Sequence, residues 1–386
     1  MKIVGVLVLA FIGIVALALV LIELLLRRWA AGEGDRPSGV ATSRNRHGEA
    51  GKGSWTLSPE VAKQRDPGFS STQWSEMHAW AQSQKTSSSP ISDNDQRMVL
   101  SLSGCDFGGT ELSVVGGNRH TVGQPTVYSQ EILCFGGSTT FCMEVRDSQT
   151  WSSELQRLLN QGYGNQYRVL NFGIAGAPGL DRVVSFRHRS LPKSGDISVF
   201  LFGDNDAGWK QWYPTGAVHH LLIRPLKQLE RESTNRILLL AWLKREFAVF
   251  LRRRLAASTA KATIKAAEDA MEWANARGAS VLFVLQPNIM TLARRDAWDT
   301  QIYGATAPNL FVMLEVAYRH YRDWMKRNPN VVSATHIFDD EKPSPYMGDW
   351  AHANSRGNQL IADFVFDELM RRNLLKPERT VEVSRP

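Results

Sequence analysis

Four short blocks carry the residue types that acyl chemistry needs. The first, Phe135-Gly136-Gly137-Ser138-Thr139-Thr140, follows the strand-like stretch Glu131–Phe135 and precedes a helical pattern. Its glycines permit a tight turn at the carboxyl end of a strand, where open α/β sheets hold their ligands, and that turn would present the Ser138 hydroxyl together with its own backbone N–H. In Asn171-Phe172-Gly173-Ile174-Ala175-Gly176, again after a β-rich run, Gly176 allows close backbone approach and offers an N–H to an oxyanion; a plain strand-ending turn is the other reading. Gly203-Asp204-Asn205-Asp206 caps the strongly apolar run Ile197–Phe202. The Asn205 amide is a neutral donor suited to a developing oxyanion, although an Asx-turn would use the same residues. Asp349-Trp350-Ala351-His352 puts a carboxylate and an imidazole on one short loop, so that the acid can hold one ring nitrogen while the other faces a nucleophile. Read as metal ligands, the same pair lacks further clustered partners, and no metal site is expected.

The elements that must position these blocks show as a regular rhythm from residue 130 onward. Glu131–Phe135, Arg168–Asn171, Ile197–Phe202 and Ser280–Gln286 are strand-like, whereas Trp151–Asn160, Ile264–Ala276, Phe311–Lys326 and Gln359–Arg372 are helix-like. Strands separated by helices predict a doubly wound α/β domain over 129–376, a parallel sheet with helices on both faces. Residues 217–260 break the rhythm as a helical insertion. Its Ile237–Arg254 stretch sets Leu238, Leu239, Trp242, Phe247, Phe250 and Leu251 beside a run of Lys and Arg. Such a helix could lie on an anionic membrane surface, or pack into the core with a solvated basic face. Residues 54–128 read as an irregular N-terminal extension with a few strands and 377–386 as a tail, and no internal repeat is present.

The whole chain, 386 residues with 43% hydrophobic and 22% charged, has globular composition. Its formal charge of +7 is a mild excess of Lys and Arg spread along the sequence without a nucleic-acid-binding motif, so no nucleic-acid partner is expected. Cys105, Cys134 and Cys142 are too few and too irregularly spaced for a disulfide scaffold or a zinc site. A Cys105–Cys142 or Cys134–Cys142 bridge is conceivable, and Cys134, inside an apolar run, reads as a buried thiol. Nothing implies a cofactor. Ile3 to Ile22 runs without a charge, and Leu25 and Leu26 continue it past Glu23, about 30 Å of helix and one bilayer core. It is longer than the apolar region of a secretory signal and is followed by Arg27 and Arg28, which predicts a retained single-pass anchor over 1–28, with a Gly- and Ser-rich tether over 29–53. Lys2 and the terminal amine compete with Arg27 and Arg28, so charge alone leaves the orientation open.

Taken together and in this order, the four blocks resemble the SGNH/GDSL hydrolase superfamily over about residues 130–373, including Gly357-Asn358-Gln359 after the histidine loop. The resemblance implies a flavodoxin-like sheet with Ser138 as nucleophile, His352 as general base and Asp349 as its orienter. It also implies an oxyanion hole formed by the Ser138 N–H, Gly176 and Asn205. The nucleophile motif reads Gly-Gly-Ser-Thr-Thr rather than Gly-Asp-Ser-Leu, a variant similar to that of bacterial envelope proteins with an N-terminal membrane helix. That implies an extracytoplasmic body, periplasmic or at the cell surface, acting on O-acyl esters, O-acetyl above all, of a glycan or envelope polymer. Water would resolve the acyl-enzyme in an esterase and a sugar hydroxyl in a transferase. A third reading is a module that holds a glycan in the same cleft without turning it over. His219 and His220 read as loop residues near the cleft mouth rather than as ligands.

Overall fold

The computed structural model of the protein describes residues 59–87, 106–175, 192–207, 238–306 and 308–376. In chain order these form α1 (Pro59–Arg65), α2 (Ser71–Ser87), β1 (Phe107–Gly108), β2 (Ser113–Val115), β3 (Asn118–Arg119), β4 (Gln130–Gly136), α3 (Ser138–Phe141), α4 (Trp151–Tyr163), β5 (Tyr167–Gly173) and β6 (Ile197–Phe202). They continue with α5 (Leu238–Asn275), β7 (Ser280–Leu285), α6 (Ala297–Ala305), α7 (Pro308–Met325), β8 (Val331–Ser333) and α8 (Ser355–Arg371). The chain divides into two compact units, residues 55–209 with 256–386, which hold the sheet, and residues 1–54 with 210–255.

The fold is α/β around a mixed sheet of 8 strands in the order β1-β2-β3-β5-β4-β6-β7-β8. β4 to β8 pair in parallel, and β1 to β3 add an antiparallel edge beyond β5. The first strand of the parallel set lies between the second and the third, so the chain reverses direction across the sheet at the β4/β6 boundary, which opens a crevice at the carboxyl ends of those two strands. Every residue of β6 is buried, as a strand covered on both faces requires. The register brings Phe172, Phe135, Phe200 and Phe283 into line across β5, β4, β6 and β7, with ring centroids 5.2, 4.7 and 4.7 Å apart in succession. This stack of rings fixes the four strands laterally. Helix ends are set locally: the Thr150 side chain accepts the Ser153 N–H to start α4, and Asn354 accepts the Gly357 N–H to start α8.

Several expectations are corrected here. The sheet is mixed rather than purely parallel, because the extension contributes β1 to β3 to its edge. That extension also holds α1 and α2, two helices where only irregular strands were expected. The Ile237–Arg254 and Ile264–Ala276 patterns are one helix, α5, since the Ala-rich join from Leu255 to Thr263 carries no helix breaker. β8 is a strand of only 3 residues, too short to show a periodic signal. Cys134 and Cys142 are buried and free, while Cys105 lies outside the described residues. The apolar run over 3–26, the tether and His219 and His220 lie outside them too. Among the described residues no helix is long and apolar enough to cross a membrane.

Candidate active site

Ser138 opens α3 directly beyond the end of β4 and is 8% exposed. The turn is wound tightly on the Gly137 carbonyl, which accepts the Thr140 and Phe141 N–H groups at 3.0 and 2.9 Å, and it ends at Cys142 with φ 55°. β5 presses against it: a Cβ on Gly173 would lie 2.3 Å from the Phe141 nitrogen, so only glycine fits there. Asn171 braces the turn from the same strand, its Nδ2 donating to the Thr140 carbonyl at 2.7 Å and to Ser152 Oγ at 2.8 Å. The second block therefore has a structural duty toward the first. Gly176, the expected oxyanion donor in that block, lies outside the described residues.

Across the crevice, Gly203 ends β6 at φ 141°, and a Cβ there would lie 2.6 Å from the Tyr318 hydroxyl oxygen. Asp206 Oδ2 accepts the Gly203 N–H at 2.8 Å and closes the turn, and Asn205 stands partly exposed on it. Because β4 and β6 are neighbours, the Ser138 and Asn205 turns flank the same crevice.

The histidine loop is internally determined. Asp349 Oδ1 accepts the backbone N–H groups of Ala351 and His352, both at 2.8 Å, and its Oδ2 accepts from His352 Nδ1 at 2.5 Å. A carboxylate only accepts, so the Nδ1–H tautomer is selected and proton exchange falls to Nε2. Burial works against a charged imidazole, but the Asp349 carboxylate, by charge and hydrogen bond, together with Glu144 outweighs it and pushes His352 up to about 9. Burial would raise Asp349 as well; His352 and the loop N–H groups hold it below the ordinary carboxylate range. Glu144, 2% exposed, is pushed up to about 7 by burial, against the pull of His352.

A segment that sequence reading passed over joins the three turns. Thr139 Oγ1 donates to Gln286 Oε1 at 2.9 Å, and Gln286 Nε2 donates to Asp204 Oδ2 at 2.5 Å. Asn288 Nδ2 donates to Asp204 Oδ1 at 2.9 Å, and the Ile289 N–H donates to the Trp350 carbonyl at 2.9 Å. The stretch after β7 thus touches the serine turn, the Asn205 turn and the histidine loop. Among the described residues no group of three or more His, Cys, Asp or Glu is placed to hold a metal ion.

Residues 132–365, more than half of the chain, match the GDSL-like lipase/acylhydrolase family. The chain belongs to that family. It is accordingly an enzyme of acyl-ester hydrolysis, and the match runs from β4 into α8. No curated protein matches the chain. Solved structures similar to it include the acetyl xylan esterase AlAXEase, at 15% identity over 61% of this chain and 98% of that one, TM-score 0.37. The acetylxylan esterase Axe2 from Geobacillus stearothermophilus is 14% identical over 63% and 94%, TM-score 0.34. A GDSL-like lipase from Bacteroides thetaiotaomicron is 12% identical over 78% and 99%, TM-score 0.35.

The extension lies outside the stretch matched to the acylhydrolase family, yet it grips the site. Arg65 at the end of α1 donates from Nε to the Tyr346 carbonyl at 3.1 Å and from Nη2 to the carbonyl and hydroxyl of Ser344, just before the histidine loop. Its guanidinium also lies over the Trp298 ring at 3.9 Å. Asn354 Nδ2 donates to the Arg65 carbonyl at 2.8 Å, and Gln73 Nε2 donates to the Glu144 carbonyl at 2.7 Å. On the nucleophile side, Trp80 of α2 stacks on Phe141 with centroids 4.4 Å apart. Nothing in residues 59–87 suggested such contacts, because their partners lie far away in the chain.

Proposed function

We propose that Ser138, His352 and Asp349 form the triad of a serine esterase acting on O-acyl, chiefly O-acetyl, esters of a glycan or cell-envelope polymer. The observation that carries this reading is the Asp349–His352 bond on a loop tied through Ile289 and Gln286 to the turn that bears Ser138. His352 takes the Ser138 proton as the hydroxyl attacks the ester carbonyl; the Ser138 N–H and the Asn205 amide, with Gly176, receive the developing oxyanion; His352 then returns the proton to the departing alcohol. The resulting acyl-enzyme is open to water or to an acceptor hydroxyl, which separates an esterase from a transferase. In this reading residues 3–26 anchor the chain, and the body stands outside the cytoplasm, where such polymers lie.

The test is serine-directed labelling. A fluorophosphonate probe should tag wild type at Ser138 and fail on Ser138→Ala. His352→Ala should lose at least about a thousandfold of p-nitrophenyl acetate turnover, since loss of a triad member leaves only binding and the oxyanion hole. Labelling that survives Ser138→Ala, or wild-type turnover by His352→Ala, removes the triad.

A further inference from the structure

Asp204 is 2% exposed and is contacted by three neutral groups, Gln286 Nε2, Asn288 Nδ2 and the Tyr318 hydroxyl. No lysine or arginine is among them. The protons of this cluster can be assigned by counting. Tyr318 has a single hydroxyl proton but two oxygens in reach, Asp204 Oδ1 at 2.8 Å and the Gln286 carbonyl at 3.0 Å. With Asp204 ionised, the proton satisfies one of them and leaves the other contact as two facing acceptors, buried, which is costly. With Asp204 neutral, the carboxyl O–H donates to the Tyr318 oxygen, Tyr318 donates to the Gln286 carbonyl, and both contacts become hydrogen bonds. Gln286 Nε2 still donates to Oδ2, and Gln286 Oε1 still accepts from Thr139 beside Ser138.

We propose that Asp204 works as a neutral acid, a positioning residue that holds the Asn205 turn against the Ser138 turn through Tyr318 and Gln286. The inference rests on the reading of Ser138 and Asn205 given above. It also has an electrostatic sense, because a carboxylate buried next to Asn205 would oppose the negative charge that the turn is meant to receive. A carboxylic acid kept neutral by its surroundings is an established device in glycoside and enolate chemistry. Burial does push Asp204 up to about 7, against its three donors and a charged His352, and the pull of His352 is absent once that ring is the free base. The titratable groups that feel it are Tyr318 from α7, and Tyr346 and His352 from the stretch leading to α8.

Asp204→Asn is the deciding variant, since an amide stays neutral at every pH and keeps the Asn288, Tyr318 and Gln286 contacts if the Gln286 amide turns over and Thr139 accepts in place of donating, giving up only the bond from Tyr318 to the Gln286 carbonyl. A group whose pKa is raised on folding stabilises the fold at low pH and loses that contribution as pH rises through the folded value. The melting temperature of Asp204→Asn minus that of wild type should therefore grow with pH, by at least about 2 °C between about pH 5 and pH 8. Glu144 titrates in both proteins and cancels in the difference. Turnover of p-nitrophenyl acetate by Asp204→Asn should stay within about threefold of wild type, whereas Asp204→Ala should lower kcat by about tenfold with KM nearly unchanged. A melting difference that is flat or shrinks with pH overturns the neutral acid. Hundredfold lower kcat in Asp204→Asn overturns it equally, as does an Asp204→Ala protein that melts early yet turns over normally per folded molecule. An inactive wild type would instead strike at the proposed function, and the melting comparison would still report the protonation of Asp204.

Discussion

His352 sits among carboxyls, and its basicity follows from them. In the proposed triad His352 must be unprotonated to act, so with His352 pushed up to about 9 the acid limb of kcat/KM should lie well above the range of an ordinary histidine. Glu144 supplies part of that push, second to Asp349. Replacing it by Gln removes a negative charge that favours imidazolium, so the acid limb of Glu144→Gln should move to lower pH; a limb that stays in place would show that Glu144 does not act on His352. Asn205 is tested by a different split. If its amide meets the oxyanion, the bond tightens only as charge develops, and Asn205→Ala should lose about a hundredfold in kcat with little change in KM. Should Asn205 merely help to shape its turn, the variant would melt earlier and keep near-normal turnover per folded molecule.

Among the elements, α1 and α2 are the ones whose role depends on partners distant in sequence. Arg65→Ala would leave the buried Tyr346 and Ser344 carbonyls without their donor, at a cost of about 1–3 kcal/mol. The histidine loop should loosen with it, so we expect a melting temperature several degrees lower and kcat about tenfold lower, with KM nearly unchanged. Calorimetry and ester turnover on one preparation check this, and unchanged turnover per folded molecule would leave Arg65 a purely structural residue. What could be read beforehand follows the same division. Ile197–Phe202 was legible to the residue because a run that is apolar except at Ser198 meets a glycine turn. The Asp349–His352 bond was legible because both partners lie on one loop. α2 was not, since its sequence is largely polar, although Trp74, Met77 and Trp80 recur at helical spacing and were the available signal. Gln286, Asn288 and Tyr318 left no local trace, as each acts on Asp204 from another part of the chain.

On the scale of the whole molecule, the reading of residues 1–28 as a retained anchor predicts a membrane-bound protein with its body outside the cytoplasm. Added protease should digest the body in intact spheroplasts; a body protected until lysis would place it inside and reject the topology. The first half of α5 belongs to the unit of residues 210–255 and shows Phe247 and Phe250 half-exposed and stacked, their centroids 6.3 Å apart, with Arg254 over Phe250. Replacing both phenylalanines by Ser should weaken binding of the protein to anionic vesicles if that helix lies on a membrane, and vesicle binding unaltered by the change would reject that role. A last consequence follows from the order of parts along the chain. Among the described residues all 8 strands precede the Asp349–His352 loop in sequence, so the ribosome delivers the serine turn early and the histidine loop after these strands. In the proposed reading a nascent chain therefore carries Ser138 before the residue that would activate it, and the serine stays chemically silent until the Asp349–His352 loop has been made.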